Sequence, residues 1–303
     1  MLLEKINTGG KGILITLLLI AGCSRNTIKE TGETLDITVS VVSQEYFVEK
    51  IGGDRVSVNV MVEPGASPHT YEPKPQQLQA LSEAEAYVTI GDTFEDAWMT
   101  RLKSVNQNMI IIDSGAGIER LPLSHHHHHE EEGEEHGEET LDPHIWLSPK
   151  LVKIQAQNIY EGLVKLDPAG ATEYKTNLEN FLKEIDTLDE EIRKNLAGIN
   201  NRKFMVFHPS WGYFAHDYNL EQIPIEVGGV EPSAAELGKL IAEAKEEGIK
   251  VIFAQPEFST KSAQTIAREI GGEVLLITPL APNWSENLLQ VSEIFGKALN
   301  SKE

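Results

Sequence analysis

PAGATEYKTNLENFLKEIDTLDEEIRKNLAGI, residues 168–199, lies between two series of β-rich runs and decides how the chain is divided. Leu178, Phe181, Leu182, Ile185, Leu188 and Ile192 recur at steps of three and four, which puts them on one face of a helix. No proline or glycine follows Gly170 until Gly198. One helix of about thirty residues extends about 45 Å at 1.5 Å per residue, enough to run the height of the molecule and join two bodies stiffly. A long core helix inside a single domain is the alternative.

Before this stretch, ITVSVV (37–42), VSVNVMV (56–62), AYVTIG (86–91) and MIIID (109–113) read as strands, with helix-sized segments between them. After it the pattern returns in FMVFH (204–208), IPIEV (223–227), VIFAQ (251–255) and EVLLI (273–277). Near-continuous apolar strands alternating with helices predict parallel sheets covered on both faces. The fold class is therefore α/β: two lobes, each with a central, mostly parallel sheet, joined by a long rigid helix with a cleft between them. The divisions are a first lobe over 36–167, the linking helix over 168–199 and a second lobe over 200–303.

The composition agrees with packed lobes: 303 residues, 40% hydrophobic and 7% aromatic. A formal charge of −21, from 26 Lys+Arg against 47 Asp+Glu, repels phosphate and anionic lipid head groups and argues against a nucleic-acid partner. The first twenty-three residues read as an export signal, with Lys5 and Lys11 before the apolar run ILITLLLI (13–20), which is too short to span a bilayer. The run closes on Ile20-Ala21-Gly22-Cys23, which resembles a bacterial lipobox and implies cleavage before Cys23 and lipidation of its thiol. An ordinary cleaved signal with a spare thiol is the alternative. Cys23 is the only cysteine, so no intramolecular disulfide can form. Residues 24–35, polar and without periodicity, read as a tether.

SHHHHHEEEGEEHGEET (124–140) has nothing apolar to bury and reads as a loop. Its histidines, His125, His126, His127, His128, His129 and His136, read as an auxiliary tract that either collects metal or senses abundant zinc. Of the remaining histidines, three share one local setting, beside proline near an expected strand end: His69 in EPGASPHTYEPKP, His144 in LDPHIWLSP and His208 in VFHPSWGYF. Loops after the carboxyl ends of parallel strands converge on ligand sites. Three imidazoles suit Zn²⁺, whereas Mg²⁺ and Ca²⁺ need oxygen-rich sites and Mn²⁺ more carboxylate. Tyr71, Trp146 and Trp211, close in sequence to these histidines, either wall the site or pack the core. Glu63 and Asp142 are candidate partners for the ring N–H groups. His216, followed by Asp217, reads as a surface or helix-end residue.

These segments resemble the metal-specific substrate-binding proteins of ABC transporters, the zinc and manganese cluster A-I. The resemblance is carried by GASPHTYEP, LDPHIWLSP behind an acidic His-rich loop, FHPSWGYFAHDYNL, EVGGVEPSAAEL and IFAQPEFSTKSAQTIAREIG. It implies two α/β lobes joined by a long helix, with His69, His144 and His208 holding the metal between the lobes. It also implies capture of Zn²⁺ outside the cytoplasmic membrane and delivery to a cognate ABC permease, by a monomer lipid-anchored on the periplasmic or outer face. His208, where manganese-selective relatives commonly carry a carboxylate, favours zinc. Many relatives place an aspartate ligand before the last Pro-Leu pair; here Thr278 stands there, in ITPLAPNW. Water, Glu257, Glu72 or a residue of the His-rich loop is left to supply a fourth ligand. Three histidines and a water also describe a catalytic zinc, so a hydrolase or hydratase is one alternative and a metal-binding surface adhesin another. The chain has no HExxH helix and no clear general base beside the ligands.

Overall fold

The computed structural model describes residues 34–123, 140–226 and 229–300. The export signal with Cys23, and the histidines of the 124–139 tract, lie outside the described residues. In chain order the elements are β1 (Leu35–Val41), α1 (Val42–Gly52), β2 (Val56–Val62), α2 (Pro75–Glu83), β3 (Ala86–Thr89), α3 (Thr93–Val105), β4 (Ile110–Asp113), α4 (Pro149–Leu166) and α5 (Ala171–Asn195). The second half continues with β5 (Lys203–Val206), α6 (Gly212–Asp217), β6 (Glu221–Pro224), α7 (Ala234–Glu246), β7 (Val251–Ala254), α8 (Lys261–Ile270), β8 (Glu273–Leu276) and α9 (Trp284–Ala298).

Among the described residues the strands form two four-stranded sheets, ordered β2-β1-β3-β4 and β6-β5-β7-β8, with every pairing parallel. Ile37, Val39 and Val41 of β1, Ala86 to Thr89 of β3 and Val251 to Ala254 of β7 are all buried, as strands sandwiched between helices must be. In each sheet the chain leaves its first strand for one neighbour and returns on the other side, so the loops after β1 and β3, and after β5 and β7, splay apart at the carboxyl edge. That crevice is where a ligand can reach several loops at once. Leu35 already pairs with Val56, so the stretch expected as tether runs into the first strand.

The linking segment is helical, but its first residues form a separate turn. Pro168–Gly170 is a single 3₁₀ turn and α5 begins at Ala171. Gly198, at φ +75°, takes a left-handed conformation soon after the helix ends. The 25 residues of α5 span about 37 Å. Tyr174, Leu178, Phe181, Ile185, Leu188 and Ile192 are its buried stripe, while Leu182 is only partly covered. The helix packs on α1, α4 and α9. Phe181 and Trp284 of α9 meet Phe47 of α1, with ring centroids 5.9 and 5.1 Å away. Aromatic side chains of both lobes thus share one continuous core, and each such side chain contributes roughly 1.5–3 kcal/mol by burial. A second, smaller core lies between the C-terminal sheet and α7 and α8. No helix among the described residues is long and apolar enough to cross a membrane.

Candidate metal centre

The loop after β2 brings His69 to the crevice. Gln77 of α2 donates to the carbonyls of Val60 and Met61 at 2.9 and 2.6 Å and accepts from Tyr71 Oη at 2.6 Å, so the returning chain is tied back onto β2. His69 sits in the middle of a 3₁₀ turn, Pro68–Thr70, at the tip. His144 precedes a second 3₁₀ turn, Ile145–Leu147, ahead of α4. His208 lies two residues beyond the end of β5 rather than closing the strand. Its backbone is gripped by Gln255 at the end of β7, which accepts from His208 N at 3.1 Å and donates to its carbonyl at 2.6 Å.

These loops bring the three imidazoles together. His208 Nε2 lies 3.1 Å from His69 Nε2 and 3.3 Å from His144 Nε2, and a ligand atom of each falls within 4.8 Å of the others. Tetrahedral bonds of about 2.0–2.1 Å to one zinc ion separate neighbouring nitrogens by about 3.3 Å. The opposite ring nitrogens are all engaged. His144 Nδ1 is 2.7 Å from Asp142 Oδ1, His208 Nδ1 is 2.8 Å from Glu226 Oε1, and His69 Nδ1 is 3.1 Å from Thr93 Oγ1 and 4.0 Å from Asp92 Oδ1. A ring whose Nδ1–H donates to such an oxygen is left with a lone pair at Nε2. In that tautomer the three Nε2 lone pairs face one another, as three ligands of one cation do.

Burial reinforces the neutral state. It pushes His69 down to about 4 and His144 down to about 3, and the neighbouring imidazoles push the same way. Both rings are unprotonated at neutral pH and can bind a metal without first losing a proton. Burial raises the Asp142 carboxyl to about 7, with the His144 backbone N–H acting against it at 2.9 Å. A cation across the ring favours the ionised carboxylate with the proton on Nδ1.

The enclosure has two scales. A cavity of about 10 Å³, room for roughly one water, is walled by the three histidines with Trp146, Glu257 and Phe258. Beside it a cleft of about 1250 Å³ reaches His69, His208 and Phe258 and extends past Arg120 to Leu123 and Thr140. Phe258 stacks on His208 at 4.8 Å and stands between the two spaces. Leu123 N donates to Thr140 O at 2.8 Å, so the two ends of the His-rich segment meet at the wall of that cleft.

Several sequence expectations are resolved here. Asp142 is the partner of His144, whereas Glu63 faces solvent and pairs with Lys74. Trp146 lies 5.2 Å from the His144 ring, but Tyr71 packs on Phe94 and Trp211 on Phe214 and Phe295, in the core. Glu72 is exposed, and His216 is 64% exposed beside Asp217. Glu257 lines the small cavity without joining the histidine cluster: its Oε1 accepts from Thr278 Oγ1 at 3.1 Å, and its buried Oε2 has no hydrogen-bond partner. Sequence reasoning missed Asp92, Thr93, Glu226, Gln255 and Phe258. Glu226 left a faint signal, a carboxylate inside the otherwise apolar run IPIEV.

With this geometry in hand, comparison with known proteins is specific. The family model described as "Zinc-uptake complex component A periplasmic" matches residues 37–292. The high-affinity zinc uptake system protein ZnuA of Bacillus subtilis (strain 168) is 30% identical, over 88% of this chain and 86% of that protein. A crystal structure of ZnuA shares 52% identity at a TM-score of 0.82, covering 89% of this chain and all of that one. A deletion mutant of ZnuA with zinc bound superimposes equally well, at 51% identity and a TM-score of 0.82.

Proposed function

Because the chain belongs to the zinc-uptake complex component A family, whose members bind zinc outside the cytoplasm for uptake and are not enzymes, we propose that it holds one Zn²⁺ on His69, His144 and His208. The observation that carries this reading is the convergence of three Nε2 lone pairs at 3.1 and 3.3 Å, each backed by an acceptor on Nδ1. The captured ion is passed to an ABC permease, and no chemistry is performed on it. Water or Glu257 completes the set: Glu257 Oε2 is buried on the wall of the ion-sized cavity without a hydrogen-bond partner, although the residue lies outside the three-histidine cluster.

Anchoring through a lipid on Cys23, action as a monomer, and weaker, multiple zinc binding by the 124–140 tract complete the reading. Coordination by a polar tract with nothing apolar to bury carries an ordering cost, while the cleft histidines are already in place, so the cleft is the tighter site. Zinc content and competitive affinity test it in three proteins: wild type, the triple His69/His144/His208→Ala variant and a deletion of 124–140. One tightly held zinc that survives the deletion and vanishes in the triple variant supports the cleft. Loss of the tight zinc on deletion alone makes the protein a His-rich buffer and refutes the ligand set.

A further inference from the structure

His69 is the one imidazole of the three whose Nδ1 meets a hydroxyl rather than a carboxylate at hydrogen-bond distance, so its orientation depends on where Thr93 is held. Thr93 opens α3, and Asp92 caps that helix by accepting from Phe94 N at 3.0 Å. Asp92 is buried, and its Oδ2 has no hydrogen-bond partner. What fixes these two residues is the short connection from β3, Ile90 and Gly91. Both N–H groups go to one carboxylate: Ile90 N to Glu95 Oε1 at 2.7 Å and Gly91 N to Glu95 Oε2 at 2.8 Å. Both carbonyls go to one guanidinium: Arg120 Nη1 donates to Gly91 O at 3.1 Å, and Nη2 donates to Ile90 O.

Ile90 is buried and Gly91 is exposed, and two side chains supply partners for all four of their backbone groups. Gly91 fits the grip in two ways. Its φ of +78° suits glycine, and a Cβ there would lie 2.4 Å from Arg120 Nη2. Glu95 is itself anchored beneath the sheet, where its carboxylate also accepts from Ser40 Oγ and Ser40 Oγ meets Tyr87 Oη at 2.8 Å.

We propose that Glu95 and Arg120 are positioning residues for His69, clamping the Ile90–Gly91 backbone from its two sides and so holding Thr93 and Asp92 against the ring. The inference rests on the reading of His69 as a zinc ligand and adds to it the device that aims the ligand. Neither residue touches the ion: Glu95 acts through two backbone N–H groups and Arg120 through two carbonyls.

A double-mutant cycle on the full chain separates this role from general support of the fold. Zinc affinity is measured by competition with a chromophoric chelator for Glu95→Gln and Arg120→Met, each alone and combined with His69→Ala. Each single substitution is expected to weaken zinc about tenfold, and neither to weaken it further once His69 is gone. The visible spectrum of Co²⁺-loaded Glu95→Gln should shift from wild type, and Arg120→Lys should restore more of the spectrum and affinity than Arg120→Met. Equal loss with and without His69 overturns the inference. So does unchanged zinc affinity in a variant whose metal-free melting matches wild type. If Glu95→Gln does not fold, the half-buried Arg120 carries the same cycle. If His69→Ala leaves zinc affinity unchanged, the ligand set itself fails and this inference falls with it, a result distinct from additive loss.

Discussion

His144 and His208 are 3% and 5% exposed and carry a carboxylate on Nδ1, while His69 is 25% exposed at its side chain and carries a hydroxyl. The backbones differ in the same direction. The His144 loop precedes α4 in the first half of the chain, yet its ties run to the second. Trp146 Nε1 donates to Pro279 O at 2.8 Å, Trp284 Nε1 donates to Trp146 O at 2.7 Å, and Tyr213 Oη donates to Asp142 O at 2.9 Å. The His144 loop is thus tied by hydrogen bonds to the half of the chain that carries His208, while His69 meets the two on a loop held by Gln77.

The sharpest test of this contrast is to remove the ligands one at a time. His208→Ala and His144→Ala should each weaken zinc by more than about 100-fold, beyond what loss of an outer partner costs, and His69→Ala by less than either. Competition titration reads all three; a larger loss at His69 than at His208 would erase the distinction.

Next in size are the partners on Nδ1. Glu226→Gln and Asp142→Asn should each cost about 10–100-fold in zinc affinity, whereas Thr93→Val should cost less than about tenfold, since only a hydroxyl is lost. Equal penalties at all three would mean that the acceptor's charge is irrelevant to ligand strength.

The staple can be loosened without touching a ligand. Trp146→Phe leaves the Pro279 carbonyl without its donor and should destabilise the metal-free protein by about 1–3 kcal/mol, read from the urea midpoint. If stability is unchanged and zinc affinity falls, Trp146 acts on the site and not as a tie between the halves.

A further effect concerns protons. The folded values for His69 and His144, about 4 and about 3, lie below the unfolded value of about 6.5. Between those limits the unfolded chain binds more protons than the folded one, so stability contributed by these groups is present above about pH 6.5 and declines on acidification toward pH 3. Denaturant midpoints of metal-free wild type and the His69→Ala/His144→Ala variant, compared at pH 7 and pH 5, should converge on a shallower pH slope for the variant. Identical slopes would show that the two rings are not buried in the neutral form.

Much of this architecture was legible because it depends on period and composition. Each of the eight apolar runs overlaps one of the eight strands among the described residues, although IPIEV does so only through Ile223 and Pro224 of β6, and the stripe from Leu178 to Ile192 became α5. The three ligand candidates stood out because a histidine beside proline at a strand end has few other reasons to be there. Their partners did not stand out. Asp92 and Thr93 read as an ordinary helix start, Gln255 as a strand-end amide and Phe258 as one more aromatic, for each acts on a histidine between 23 and 50 positions away only by virtue of how the sheets stack. Of the two roles left open for Trp211 the structure shows core packing, since nearness in sequence to His208 says nothing about which side of the turn a ring will face.

The sequence by itself determined the α/β class, the division around one long helix and the histidines to watch, because local spacing and residue chemistry encode them directly. Only the tertiary structure decided that three Nε2 atoms converge, that their Nδ1 partners are two carboxylates and a hydroxyl, and that His144 is tied to the opposite half. Those are facts about distance between loops far apart in the chain, and they follow from how the two sheets pack through α5 and α9, which no local pattern records.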